Sequence, residues 1–249
     1  MRDAWQDAEA VAEYVHSVRG AAPVMQFIER PTLQALVGQV RGQDVVDLGC
    51  GAGDFARQCA EAGAASAVAV DRSAEMLRYA VPAPGVHYVE ARMESITLPA
   101  SSADLVVSSM ALDFVEDAGG VVRRAFDWLR PGGRLVFTVQ HPIVMASTHA
   151  QWVHEAGTSS AWPVDSYLTE GPRTESRGDL AVTRWHRPVA RWVMWVLDAG
   201  FRLDALAEPG GSPEGWSAAK GLLEQNAKRP RILAVRAERP ASGRGAPAG

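Results

Sequence analysis

Lysine is almost missing from this chain: 25 residues are lysine or arginine, and only Lys220 and Lys228 are lysines. Neither lies near the glycine-rich segment at residues 45–53, so no P-loop lysine, Schiff-base lysine or Tyr-x-x-x-Lys reductase pair is available there. Cysteine is as scarce. Cys50 and Cys59 are the two present, too few for a disulfide scaffold and without metal-ligand spacing. A reducing compartment and no metal centre are the expectation. No apolar run reaches membrane-spanning length, and residues 1–7 lack the apolar core of a signal peptide. The chain reads as cytoplasmic, with no membrane partner. A basic surplus is also absent: 29 acidic residues give a net charge of -4, and no concentrated basic patch is interleaved with aromatics. Nucleic acid is therefore not an expected partner.

What is present is a chain of 249 residues, 47% hydrophobic, enough for one large α/β domain with its own core. Its most informative stretch is Val45-Val46-Asp47-Leu48-Gly49-Cys50-Gly51-Ala52-Gly53. A β-branched run ends in an acid and three alternating glycines where a helix should begin. Glycine there permits a sharp turn and leaves no Cβ between backbone and ligand. Residues 54–60 read as an amphipathic helix whose first N–H groups face the loop. Residues 51–56 satisfy G-x-G-x-x-A, and the next strand ends at Asp71, about 20 residues on, where an acid grips ribose hydroxyls. A dinucleotide and another adenosine ligand both fit. Asp47 separates them, because a carboxylate ahead of the first glycine repels a pyrophosphate and suits a ligand carrying an ammonium group.

Val46 to Gly53 resembles the first motif of the class I S-adenosylmethionine (SAM) dependent methyltransferases, and within them the type 11 methyltransferases of small-molecule metabolism. The resemblance continues through Asp71, through residues 98–109 (Leu-Pro-Ala-Ser-Ser-Ala-Asp-Leu-Val-Val-Ser-Ser) and through 129–137 (Leu-Arg-Pro-Gly-Gly-Arg-Leu-Val-Phe). It covers residues 40 to 143 well. It implies a Rossmann-like, doubly wound seven-stranded sheet with an antiparallel last strand. SAM would be held by Asp47 and the Gly49, Gly51 and Gly53 backbone at its methionine end and by Asp71 at the ribose. Arg72 and Met93 would flank the adenine, Ser109 and Met110 would lie beneath the sulfonium, and Tyr14 would close over the cofactor. Ordinary core packing is the alternative for Met93 and Tyr14. Methyl transfer to an O or N atom of a small molecule, of the secondary-metabolite kind, is the implied activity. A SAM-binding protein without transfer and a nicotinamide oxidoreductase are the alternatives, and either a monomer or a homodimer is compatible.

Strand and helix alternate along the chain. Helices are expected at 4–19, 31–40, 53–62, 73–80, 118–129 and 188–199. Strands are expected at 44–48, 67–71, 86–90, 104–109, 134–140, 202–207 and 231–236. This divides the molecule into a helical lid (1–40), a SAM-binding core (41–140), a substrate cap (141–187), the rest of the core sheet (188–237) and a flexible tail (238–249). The cap breaks the alternation, with Trp152, Trp162, Tyr167 and His186 among Gly, Pro and Ser without period. Inserts at the carboxyl end of a strand commonly bind ligands, so these four are the expected acceptor contacts, with structural packing as the alternative.

For a hydroxyl or ammonium acceptor a base must take one proton. His141, directly after the strand ending at Gln140, is the first candidate, and relatives carry a similar His-Pro-Ile. Capping the turn before Pro142 is its other reading. Asp113 is the second candidate, at a place where relatives carry histidine. It is read as a base, a partner orienting His141, a contact for a cationic acceptor or a helix cap.

Overall fold

The computed structural model describes residues 2–20, 22–147, 152–153, 161–177 and 179–241. From the N-terminus, β1 (Arg2–Asp3) and a 3₁₀ turn (Ala4–Gln6) lead into α1 (Ala8–Gly20), and a π-helical turn (Met25–Glu29) leads into α2 (Arg30–Val37). The core then alternates β2 (Asp44–Leu48), α3 (Asp54–Glu61), β3 (Ser66–Asp71), α4 (Ala74–Leu77), β4 (Val86–Glu90), β5 (Ala103–Ser109), α5 (Ala118–Trp128) and β6 (Leu129–Gln140). A one-turn α6 (Pro142–Met145) opens the insert, which contains β7 (Gly171–Arg177) and β8 (Leu180–His186). The chain closes with α7 (Val189–Asp198), β9 (Arg202–Ala207), α8 (Pro213–Ala218), α9 (Lys220–Lys228) and β10 (Ile232–Glu238).

Seven strands form one sheet in the order β4-β3-β2-β5-β6-β10-β9, with β10 antiparallel to both of its neighbours. The Val-, Leu- and Ala-rich central strands are apolar almost throughout because helices cover both of their faces. Val46, Val106, Leu135 and Phe137 face α5 and α7, where they meet Val121, Trp128 and the fully buried Trp192. Val45, Leu105, Val107 and Val136 face α2 and α3, against Leu33, Val37, Ala56 and Cys59. From β2 the chain runs outward through β3 to β4, then crosses back to β5 on the other side. The connections therefore diverge between β2 and β5, which opens a crevice at their carboxyl ends.

A second sheet, β1-β8-β7, joins the N-terminus to the insert. β1 runs parallel to β8, and the Arg2 guanidinium holds Asp179 across the pair at 2.8 and 3.0 Å. β7 and β8 thus pair antiparallel where the sequence reads as aperiodic. The expected first helix divides into a 3₁₀ turn and α1, capped by Asp3 and Asp7 through the N–H groups of Trp5 and Ala10. α8 and α9, absent from the sequence expectation, fill residues 213–228. Of the expected tail, Glu238 belongs to β10, Arg239 is bound to the Phe126 and Leu129 carbonyls, and residues 242–249 lie outside the described part.

Candidate active site

The crevice holds a cavity of about 610 Å³, within the range of small-molecule sites. Its floor is the loop from β2 to α3. Gly49, Gly51 and Gly53 take φ of 75°, 55° and 73°, and the Gly49 and Cys50 N–H groups both donate to the Val70 carbonyl at 2.8 and 2.9 Å. A Cβ on Gly49 would stand 2.3 Å from that of Ala111, so only glycine lets the backbone pass here. Asp47, Gly49, Gly51, Asp71, Arg72, Met93, Ser109, Met110 and Tyr14 all line this cavity, and Gly53 stands behind it as the left-handed cap residue of α3. Met110 reaches its place at φ 52°, a conformation costly for a side chain and common at ligand sites.

Three acids on this floor have perturbed titration. Asp47 is 1% exposed, and burial pushes its carboxyl up to about 7, reinforced by the nearby Asp71 charge and opposed by the Ala56 N–H. Its Oδ2 has no hydrogen-bond partner. Asp71 is raised by burial and pulled back by N–H donors from Ser73 (2.9 Å) and Gly51 (2.8 Å). Glu29 was not foreseen. It ends the π-helical turn, is 1% exposed, and accepts from the Ser109 and Thr138 hydroxyls at 2.8 and 2.7 Å through Oε1, while Oε2 has no partner. Burial raises it and those two hydroxyls lower it.

The remaining walls come from the N-terminus and β8. Trp5 stands edge-on to Tyr14 (4.9 Å between ring centroids) and to Phe114 (5.4 Å), and Ala181, Thr183 and Trp185 present one face of β8. The lid is tied down polar group by polar group. Arg19 forks onto Asp54 at 2.9 and 3.0 Å, Arg72 holds Asp3 at 2.6 Å, and the Ser73 hydroxyl meets the Trp5 carbonyl.

The other expected site residues lie outside the cavity lining. His141 caps α6: its Nδ1 accepts from the Ile143 N–H (3.1 Å), so the proton sits on Nε2, which donates to Glu208 at 2.8 Å. Both nitrogens are occupied, and burial lowers its pKa. Asp113 is fully buried with Arg184 Nε 3.3 Å away, and Arg184 lies 4.6 Å over the Phe114 ring; burial raises the carboxyl and Arg184 opposes it. The helix after it is capped by Asp117, not by Asp113. Trp152 and Trp162 enclose the Arg229 guanidinium at 5.1 and 3.8 Å. The Tyr167 hydroxyl accepts from the Val189 N–H at the start of α7, and His186 donates to the Tyr167 carbonyl. Trp152, Trp162 and Tyr167 fasten the insert to the C-terminal helices, and His186 ties the insert to itself. In their place Trp5, Phe114 and Trp185 bring aromatic surface to the cavity.

Among the described residues no group of His, Cys, Asp and Glu is placed to hold a metal ion, and no helix is long and apolar enough to cross a membrane. A doubly wound sheet of order β4-β3-β2-β5-β6-β10-β9 has here a glycine cradle closed to a Cβ at Gly49 and Gly53. Beside it lie a buried carboxylate with one oxygen unpartnered and an acid at the end of the next strand. Those features fit SAM and define a class I SAM-dependent methyltransferase.

The model of the family described as "Methyltransferase domain", type 11, matches residues 46–137. A solved SAM-dependent methyltransferase from Mesorhizobium loti is 36% identical with a TM-score of 0.80, over 89% of this chain and all of the other. The chain belongs to this family, and its cofactor is SAM. Two curated relatives match about half of the chain. The malonyl-[acyl-carrier protein] O-methyltransferase of Pseudescherichia vulneris is 34% identical over 48% of each protein. The ubiquinone/menaquinone biosynthesis C-methyltransferase UbiE of Cronobacter sakazakii is 32% identical over 53% of this chain and 59% of its own.

Proposed function

We propose that this methyltransferase acts on an O or N atom of a small, partly aromatic acceptor of the secondary-metabolite kind, in the cytoplasm. The observation that carries the reading is the single cavity in which the cofactor floor and the Trp5, Tyr14, Phe114 and Trp185 wall meet. When bound, SAM supplies an electrophilic methyl group on a sulfonium. Asp47 and the Gly49 backbone hold its methionine end, and Asp71 the ribose hydroxyls. Aromatic faces on the lid hold a flat acceptor and exclude water, and alignment of the acceptor atom supplies most of the rate. His141 is assigned the α6 cap in this reading, because its one lone pair accepts the Ile143 N–H. Asp113 is assigned the anchoring of β8 through Arg184. With His141 and Asp113 outside the lining, an acceptor that is acidic, or that loses its proton to water, fits this cavity.

The two relatives that match about half of this chain differ in the atom they methylate by name, so the matched half alone does not set the acceptor. Acceptor choice in this chain is accordingly assigned to α1, β1 and β8. The test is SAM turnover, read as S-adenosylhomocysteine release, against a panel of phenols, hydroxylated heterocycles, amines and carboxylic acids. Turnover confined to acyl-carrier-protein substrates, or tight NAD binding without a response to SAM, would overturn the reading.

A further inference from the structure

Asp47, Ser109 and Thr138 occupy one face of the sheet at its carboxyl edge. Asp47 pairs in register with Val107 of β5, two residues before Ser109, and Ser109 pairs with Thr138 of β6. Because side chains alternate, all three point to the side covered by α2 and α3. Glu29, which leads into α2, descends onto that face and fixes its Oε1 on the two hydroxyls. The result is two buried carboxylates along one crevice, Asp47 on the β2 side and Glu29 farther out over β5. Each keeps one oxygen without a hydrogen-bond partner, and both residues line the same cavity. Arg30, the nearest cation in sequence, commits its guanidinium to the Val18 carbonyl at 2.8 Å and acts on Glu29 only as a nearby charge. Buried carboxylates lacking a cationic partner are costly, and a ligand that brings positive charge removes that cost.

We infer, resting on the SAM reading above, that Glu29 is the contact for the cofactor's sulfonium while Asp47 takes its ammonium, so that the crevice selects the charged cofactor over its neutral-sulfur product. The two cations of SAM are separated by four covalent bonds of about 1.5 Å, hence roughly 5 Å. From Asp47 to Ser109 the sheet steps one strand across, about 4.8 Å, and two residues along, about 7 Å, so about 8 Å between backbone positions, a gap that two side chains gripping a ligand segment of roughly 5 Å from its ends can span. SAM and S-adenosylhomocysteine share the ammonium and carboxylate and differ in the sulfonium alone. A carboxylate at the sulfonium therefore discriminates between them, and one at the ammonium does not. The consequence for catalysis is weak product inhibition, since methyl transfer itself removes the charge that Glu29 holds.

The experiment is titration calorimetry of the full chain with SAM, S-adenosylhomocysteine and sinefungin, whose protonated amine replaces the methylated sulfur. Wild type, Glu29→Gln and Asp47→Asn are compared. Glutamine keeps an oxygen for Ser109 and Thr138 and removes only the charge. Glu29→Gln should weaken SAM and sinefungin by about tenfold or more and S-adenosylhomocysteine by less than about threefold. Asp47→Asn should weaken all three alike. An equal loss for SAM and S-adenosylhomocysteine in Glu29→Gln, or no loss at all, overturns the sulfonium assignment. Retained binding of S-adenosylhomocysteine shows that the variant is folded. Failure of the wild type to bind any of the three would instead remove the SAM reading itself.

Discussion

Replacing Asp47 with asparagine should stabilise the cofactor-free protein and weaken its hold on SAM, two effects of opposite sign from one buried carboxylate. In the folded chain burial pushes this carboxyl up to about 7, whereas an unfolded aspartate titrates near 3.9. The native state therefore binds its proton more tightly, and between those two values the unfolded chain ionises first. Stability contributed by this group is full below about pH 4 and falls as pH rises toward 7. A gap of about three units at ~1.4 kcal/mol each sets a ceiling of about 4 kcal/mol, of which about 2 kcal/mol is lost between pH 5 and 7. Asparagine fits the same space and does not titrate. Urea unfolding of the SAM-free chain from pH 5 to 8 should show a wild-type midpoint that declines more steeply than that of Asp47→Asn, with the curves diverging toward neutral pH. Taking the difference between the two proteins removes the parallel contribution of Asp113, and leaves with Asp47 its own charge coupling to Asp71 and Glu29. Saturating SAM should narrow the gap between the two proteins by roughly 1.5–3 kcal/mol, because in the variant the ammonium loses a charge-assisted partner of that worth, a 10- to 100-fold loss of affinity. Parallel pH profiles for the two proteins would refute the claim that Asp47 is held in the folded state against its own ionisation.

Three further outcomes follow from the same contacts. His141→Ala should lower stability by about 1 kcal/mol through loss of the α6 cap and leave SAM affinity and turnover per folded molecule unchanged, measured by thermal melts beside initial rates. A 100-fold fall in kcat with intact SAM binding would return His141 to the role of base. Trp185→Ala should raise the acceptor KM several-fold with little change in SAM affinity, whereas Trp162→Ala, which uncovers Arg229, should lower the melting temperature and spare the acceptor KM. Arg19→Ala cuts the fork between α1 and Asp54 at a half-exposed site, so it should cost less than about 1 kcal/mol of stability and appear instead as faster cofactor release in stopped-flow mixing.

Which of these residues were visible in the sequence follows from how far apart their partners lie along it. The cofactor floor was legible because the strand, the three glycines and the opening of α3 are contiguous. Asp71, too, ends a strand whose register with β2 is set by adjacency in the chain. The order of the outer strands came from resemblance, since periodicity reports faces and not neighbours. Glu29 carried no local signal: it closes a π-helical turn, and its partners Ser109 and Thr138 are 80 and 109 residues away. His141 was correctly placed at the carboxyl edge of β6, yet Glu208, which fixes its tautomer, lies 67 residues on. The insert misled for a related reason. On β8 the cavity meets Ala181, Thr183 and Trp185 while Phe114 and Asp113 meet Arg184, and most of the strand is only partly buried, so neither face is uniformly apolar. Its tryptophans then read as one aromatic cluster although they serve two ends: Trp185 faces the cavity, and Trp152 and Trp162 clamp Arg229. What the sequence hid was therefore the set of residues whose function comes from closing the lid onto the sheet. Under the proposed function those are the residues to which acceptor choice is assigned, because relatives that match about half of the chain methylate, by name, different atoms.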